Sequence, residues 1–313
     1  MKAALKVITP GPATTVQDRG RFGFLDMGVP VCGTLDGFSA RIANRLVGNT
    51  LDCALLEATL VGPCLEALAA LDIAVTGARS DLTINGKREP GWTSIRVWPG
   101  DRIEVGAADN GCRSYLAVTG GIDVPLVMGS RSTYLGGKLG GMQGRVLQSG
   151  DVLPCGVGRL LGRTRALPWY PLHGEETWLR VVPGPQDDFF TSASKVLSES
   201  AYGVTAQANR MGYRLEGAPL VRDPGAPASV VSEPIVPGSI QVPADGQPII
   251  LLTEQTLGGY AKIATVISAD LFKVAQARPG DTFRFIPVTL VQAHDILGQW
   301  AAYLDGIDAL LEK

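Results

Sequence analysis

Histidine is nearly absent: the 313 residues include two, His173 and His294. That count excludes a histidine-rich metal centre. A serine-histidine-acid triad would have to use one of the two, and neither lies near a nucleophile motif. Cysteine is scarce and odd in number (Cys32, Cys53, Cys64, Cys112 and Cys155), with no Cys-x-x-Cys. Neither a disulfide framework nor a zinc site fits, and the usage favours a reducing compartment. No run of 18 apolar residues occurs, and Asp72 interrupts the best candidate, Ala67 to Val75. The start, Met1-Lys2-Ala3-Ala4-Leu5-Lys6, lacks the apolar centre of a signal peptide, so a cytoplasmic protein without a membrane partner is expected. Net charge is −2 with no long basic run, which disfavours nucleic acid. Arg159, Arg163 and Arg165 read as a solvated face. There is no Gly-x-x-x-x-Gly-Lys-Ser/Thr loop and no strand-linked Gly-x-Gly-x-x-Gly.

Glycine is abundant instead, at 39 residues against a usual share of ~7%. It separates short β-branched runs: Leu5–Ile8, Ile73–Thr76, Ile103–Val105, Tyr115–Thr119, Leu179–Val182, Ile249–Thr253 and Thr282–Ile286. Short strands with turns at close intervals point to barrels or sandwiches. Helices are predicted at Ser39–Leu46 behind Asp36, at Asp187–Glu199, and at the C-terminus. There Ile296, Leu297, Trp300, Leu304, Ile307 and Leu311 recur at helical spacing as a packing stripe.

The chain also repeats itself. Leu5-Lys6-Val7-Ile8-Thr9-Pro10-Gly11-Pro12 resembles Leu179-Arg180-Val181-Val182-Pro183-Gly184-Pro185. Gln17-Asp18-Arg19-Gly20 loosely matches Gln207 to Gly212, Glu57 echoes Glu233, and Pro99-Gly100-Asp101 recurs as Pro279-Gly280-Asp281. Two related β-rich domains are expected, residues 1–172 and 173–313, joined within the polar stretch Arg163 to Glu176.

Three segments carry candidate chemistry. Gly28 to Ser39 leads a glycine-rich loop into a helix, whose N-terminus either holds an anion or is merely capped by Asp36. Gly129-Ser130-Arg131-Ser132-Thr133 sets one arginine among hydroxyls, an arrangement suited to a carboxylate or phosphate, or to a turn salt bridge. The following Gly136 to Arg145 reads as a mobile loop or a plain connector. Glu254-Gln255-Thr256-Leu257-Gly258-Gly259-Tyr260-Ala261-Lys262 brings acid, amide, phenol and amine to a strand end beside paired glycines, through which backbone can approach a ligand closely.

Several long motifs together resemble one family. They are Thr14 to Arg21, Gly28 to Asp36, Ala43-Asn44-Arg45-Leu46-Val47-Gly48-Asn49, Tyr115 to Pro125, Gly129 to Thr133, Ser232-Glu233-Pro234, Gly238 to Pro243, and Gly258-Gly259-Tyr260. The family is that of the 5-oxoprolinase C subunit, also described as allophanate hydrolase subunit 2 or biotin-dependent carboxyltransferase. The resemblance implies a mainly β fold of two tandem cyclophilin-like β-barrel domains from an internal duplication, with a few short helices. It implies work inside a heteromeric complex with two further proteins. One is a B-subunit protein (allophanate hydrolase subunit 1-like); the other is an A-subunit protein of the lactam-utilisation family. Together these open 5-oxoproline to glutamate with ATP hydrolysis. A biotin-dependent carboxyltransferase acting on urea or another amide is the alternative; the one Met-Lys pair is Met1-Lys2, so biotin would arrive on another chain. A regulatory protein antagonising a kinase inhibitor is a further alternative.

The expected catalytic residues are Glu254, Tyr260 and Lys262. The expected substrate contacts are Asp36, Ser39, Arg131, Ser132, Thr133, Arg210, Gln255, Gly258 and Gly259. A Ser-Gly-Ala-Met-Asp stretch of the family is here Cys32-Gly33-Thr34-Leu35-Asp36, and a Ser-Asp-Arg-Met-Gly stretch is Ala208-Asn209-Arg210-Met211-Gly212. The acid of an Asp-x-Gln-Thr-x-Gly-Gly-Tyr stretch has moved next to Gln255, as Glu254.

Overall fold

The computed structural model describes residues 2–167 and 170–311. The chain forms two units. The first holds residues up to Phe22, Cys32–Leu172 and the C-terminal segment from Gly306. The second holds Gly23–Val31 and His173–Asp305. No described helix is long and apolar enough to cross a membrane.

The first unit contains β1 (Lys2–Thr9), β2 (Thr14–Gln17), α1 (Gly37–Leu46), β3 (Leu55–Thr59), β4 (Cys64–Ala67), β5 (Leu71–Ile84), β6 (Lys87–Glu89), β7 (Ile95–Val97), β8 (Arg102–Val118) and β9 (Val152–Cys155). Nine strands make one sheet with the path β2-β3-β8-β4-β1-β9, to which β5 adds along β8 and carries β6 and β7. Alternate residues turn inward, as strand geometry requires. Leu5, Val7, Leu65, Ile73, Ile103, Val118 and Leu153 meet in one core, each without exposed surface. Each such side chain contributes roughly 1.5–3 kcal/mol.

The two ends of that path, β2 and β9, do not pair with each other. Coil between Gly120 and Leu147 joins them. On one side Thr133 N donates to Val16 O at 2.9 Å and Leu147 N to Thr14 O at 2.9 Å. On the other, Asp123 N donates to Pro154 O at 2.9 Å, beside a bridge between Ile122 and Cys155.

The second unit contains β10 (Glu176–Pro183), α2 (Ala193–Glu199), β11 (Tyr202–Ala208), β12 (Gly212–Gly217), β13 (Glu233–Pro234), β14 (Ser239–Val242), β15 (Ile249–Leu251), β16 (Leu257–Gly258), β17 (Ala261–Val266), α3 (Leu271–Gln276), β18 (Thr282–Pro287) and α4 (Leu290–Asp305). Here the sheet closes: β10-β17-β14-β15-β12-β11-β18 is a barrel, sealed by parallel pairing of β10 with β18. Leu179, Tyr202, Tyr213, Ile240, Ile250 and Phe283 fill it. The protein is therefore mainly β, with few helices.

Two helical expectations need adjustment. A 3-10 turn, Asp187–Phe190, precedes α2, so the predicted helix from Asp187 is split. At the C-terminus α4 stops at Asp305 and a short α5 (Ile307–Leu311) follows in the first unit. Gly306, which helps neither helix persist, stands at the break. Ile307 and Leu311 are buried whereas Leu297 is 44% exposed, so the apolar stripe is not one continuous packing face.

Candidate functional site

In the second unit, register places Gln241 of β14 opposite Lys262 of β17. Residues directly opposite in an antiparallel pair share a face. Both are buried. A buried ammonium is strongly disfavoured unless paired. Its partner comes from the small β13–β16 ladder, which sets Glu233 opposite Gly258. Lys262 Nζ donates to Glu233 Oε1 in a short ion pair. Gln186 ties the pair together: its Nε2 donates to the same Glu233 Oε1 at 3.0 Å, and its Oε1 accepts from Lys262 N at 3.0 Å. Lys262 first, then Gln186, holds the Glu233 carboxyl below its usual range.

Gly258 lies against side chains from two neighbouring segments, which would have to shift to admit a Cβ. A Cβ would stand 2.3 Å from Gln241 Nε2 and 2.5 Å from Ile235 Cδ1. Gln241 Nε2 in turn donates to Tyr260 O at 3.3 Å, fixing the backbone at a residue whose side chain is 45% exposed. Gly259 O accepts from Val230 N at 2.9 Å. Elsewhere in this unit Arg210 Nε and Glu254 Oε1 pair at 2.5 Å, both nearly buried. Gln255 is half-buried beside Glu254.

The candidates in the first unit fall into two other clusters. Asp36 caps α1: Ser39 N donates to Oδ1 at 2.9 Å and Ser39 Oγ to Oδ2 at 2.6 Å. Asp36 N donates to Tyr115 Oη at 2.8 Å, and that hydroxyl donates to Glu57 Oε2 at 2.9 Å. All four side chains are buried. Burial, reinforced by the charges of Glu57 and Asp36, pushes the Tyr115 phenol well above its ordinary range. Of the two readings of this helix start, the geometry is that of a self-capped terminus.

Ser130, Ser132 and the Arg131 backbone N–H converge on Asp18. Its Oδ1 accepts from Gly20 N at 2.8 Å, Ser130 Oγ at 2.7 Å and Ser132 Oγ at 2.5 Å; its Oδ2 accepts from Arg131 N at 2.6 Å. The Arg131 guanidinium bonds Asp123 Oδ1 at 2.6 Å and Val124 O at 2.9 Å. Thr133 Oγ1 donates to Val16 O at 3.0 Å. The glycine-rich stretch after it is tied down: Gly141 N donates to Arg131 O at 3.0 Å, and Arg145 grips Asp151 through two 2.8 Å bonds.

Sequence reasoning left Gln186, Glu233, Gln241 and Asp18 out of the site. The motifs Thr14 to Arg21, Ser232-Glu233-Pro234 and Gly238 to Pro243 contained three of them. Among the described residues no group of three or more His, Cys, Asp or Glu side chains is placed to hold a metal ion. Burial, then the charge of Asp123, drives the Cys155 thiol up to about 12, so it is unsuited to nucleophilic work.

A closed barrel in one unit, a coil-joined sheet in the other and buried ion pairs at strand ends define a mainly β protein with polar groups clustered by register. Residues 27–287 match the family described as carboxyltransferase domain, subdomain A and B, and the chain belongs to that family. It is 40% identical over 293 residues to the C subunit of 5-oxoprolinase from Escherichia coli, spanning 92% of this chain and 93% of that protein. It is 35% identical over 306 residues to urea amidolyase of Saccharomyces cerevisiae, spanning 91% of this chain but 17% of that protein. The crystal structure of the K. lactis urea amidolyase superposes with a TM-score of 0.91 at 34% identity, over 97% of this chain and 20% of that one.

Proposed function

We propose that this chain is the C subunit of a 5-oxoprolinase-type complex that opens a small lactam, 5-oxoproline, to glutamate while consuming ATP. Its partners in this reading are a B-subunit protein and an A-subunit protein of the lactam-utilisation family, acting in the cytoplasm. The observation that carries the reading is the match in length: this chain and its Escherichia coli 5-oxoprolinase relative span each other almost completely.

The second-unit cluster supplies suitable chemistry. Opening a lactam requires a proton to reach the departing nitrogen and its carbonyl to be polarised. Lys262, fixed by Glu233 and Gln186, and the exposed Tyr260 phenol are assigned the proton handling. Gly259 is assigned the close approach of substrate to backbone, with Gln255 nearby; the corresponding side of Gly258 is filled by Gln241 and Ile235. Glu254 is assigned with Arg210 as a neutralised pair that shapes the site rather than as a free acid. Asp36, Ser39, Arg131, Ser132 and Thr133 act through the packing of the first unit.

The test is reconstitution with the two neighbouring proteins of the complex, following glutamate formation with and without ATP. Glutamate formed only by the full set with ATP supports the reading. No turnover from an assembled complex overturns it and favours biotin-borne carboxyl transfer to an amide, the second reading, to which the urea amidolyase relatives point.

A further inference from the structure

The coil that joins β2 to β9 lines an open pocket of about 510 Å³ against the β9 edge. Its lining is largely apolar: Val124, Pro125, Val127 and Met142 from the coil, Val152 from β9. Lys138 lies at the rim, exposed, with no carboxylate within 4 Å among the described residues. Asp123, the acid in the lining, is already neutralised by Arg131.

Behind this lining stands a second uncompensated cation. Arg21 has no exposed surface. Its Nε donates to Val127 O at 3.0 Å and its Nη2 to Ser132 O at 2.9 Å, both neutral acceptors. Its Nη1 has no hydrogen-bond partner among the described residues. A Cβ on Gly140, another lining residue, would stand 2.1 Å from Ser132 O and 2.8 Å from Arg21 Nη2, so the guanidinium and the carbonyl it bonds lie behind the glycine. Asp18, the acid bonded to Ser132 Oγ, forms no ion pair with Arg21 among the described residues and does not line the cavity. A buried charge without a counter-ion is unfavourable, and its field reaches far in a low-dielectric wall.

We infer that this cavity is a binding site for an amphipathic carboxylate, with its apolar body against Val124, Val127, Met142 and Val152 and its anionic end toward Lys138 and the Gly140–Arg21 side. The size is that of a small-molecule site. Two cations without an ion-pair partner among the described residues, one at the rim and one behind the wall, select the anion, and the predominantly apolar lining selects the hydrocarbon body.

The experiment is calorimetric titration of the full chain with octanoate, octanol and octylamine. Octanoate is expected to bind, with octanol and octylamine each at least about tenfold weaker, a difference of ~1.4 kcal/mol. Lys138→Glu, at an exposed position, is expected to weaken octanoate at least about fivefold. Val152→Trp, on the half-exposed strand edge, is expected to abolish binding by filling the cavity. Circular dichroism establishes that both variants are folded. Absent octanoate binding, equal binding of the three probes, or binding unchanged in both folded variants would overturn the assignment.

Discussion

Lys262 and Glu233 form an ion pair in which the cation is buried and the anion is 39% exposed. The asymmetry predicts unequal substitutions. Glu233→Gln leaves an uncompensated ammonium inside the barrel wall and should destabilise the chain by about 2–3 kcal/mol, less than for a fully buried pair because solvent reaches the acid. The double variant with Lys262→Met should recover much of that loss. Urea denaturation of the three variants checks it. Because the Glu233 carboxyl titrates below its usual range when folded, the pair's contribution is present above the ordinary carboxylate range and is lost as pH falls through the lowered value.

Tyr260 offers the opposite case. Its ring is half in solvent and its backbone, not its hydroxyl, is held by Gln241. Tyr260→Phe should leave stability within about 0.5 kcal/mol and lower kcat of the reconstituted complex by tenfold or more, if the phenol moves a proton. A variant with unchanged kcat removes Tyr260 from the chemistry.

Asp18 collects four donors from Gly20, Ser130, Arg131 and Ser132. Asp18→Asn keeps the shape but turns one acceptor oxygen into a donor facing donors. A loss of about 2–4 kcal/mol is expected, with protease cleavage appearing first between Gly120 and Leu147. Cleavage confined to other segments would contradict the anchoring role.

His173 supplies a pH signature. Burial, then the nearby Arg278 charge, lowers its pKa to about 4. The unfolded chain binds that proton at about pH 6.5. Between those values the unfolded state carries the extra proton, so stability falls as pH drops from about 6.5 toward 4. His173→Gln should flatten that part of the stability profile by about 1–2 kcal/mol. An unchanged slope would show that other groups set it.

Much of the fold was legible in the sequence, and the failures have physical causes. The runs Ile103–Val105 and Tyr115–Thr119 read as two strands, yet β8 runs unbroken from Arg102 to Val118. Between them, 106–110 are exposed or half-buried and Arg113 and Ser114 are buried polar residues, so apolar alternation is erased without the ladder ending. The seven-strand barrel follows from the β-branched runs, but its parallel closure does not, since β10 and β18 meet across about a hundred residues. At the site, Glu254 to Lys262 stood out because its chemistry is contiguous. Glu233 and Gln186 reach Lys262 from 29 and 76 residues away, through register and a turn. Arg131 among hydroxyls left a ligand cradle and a turn salt bridge both open, because nothing local reveals Asp18, whose carboxylate takes two of those hydroxyls from 112 and 114 residues upstream.

The coil between Gly120 and Leu147 saturates the outer edges of β2 and β9, which would otherwise present unpaired backbone to other chains. A tenth strand would do the same, but its side chains would be locked to an alternating pattern. Coil carries no such constraint. Away from the anchors on Asp18 and the close-packed glycines, substitutions at exposed coil positions such as Lys138 can reshape one wall while the nine-stranded framework stays as it is.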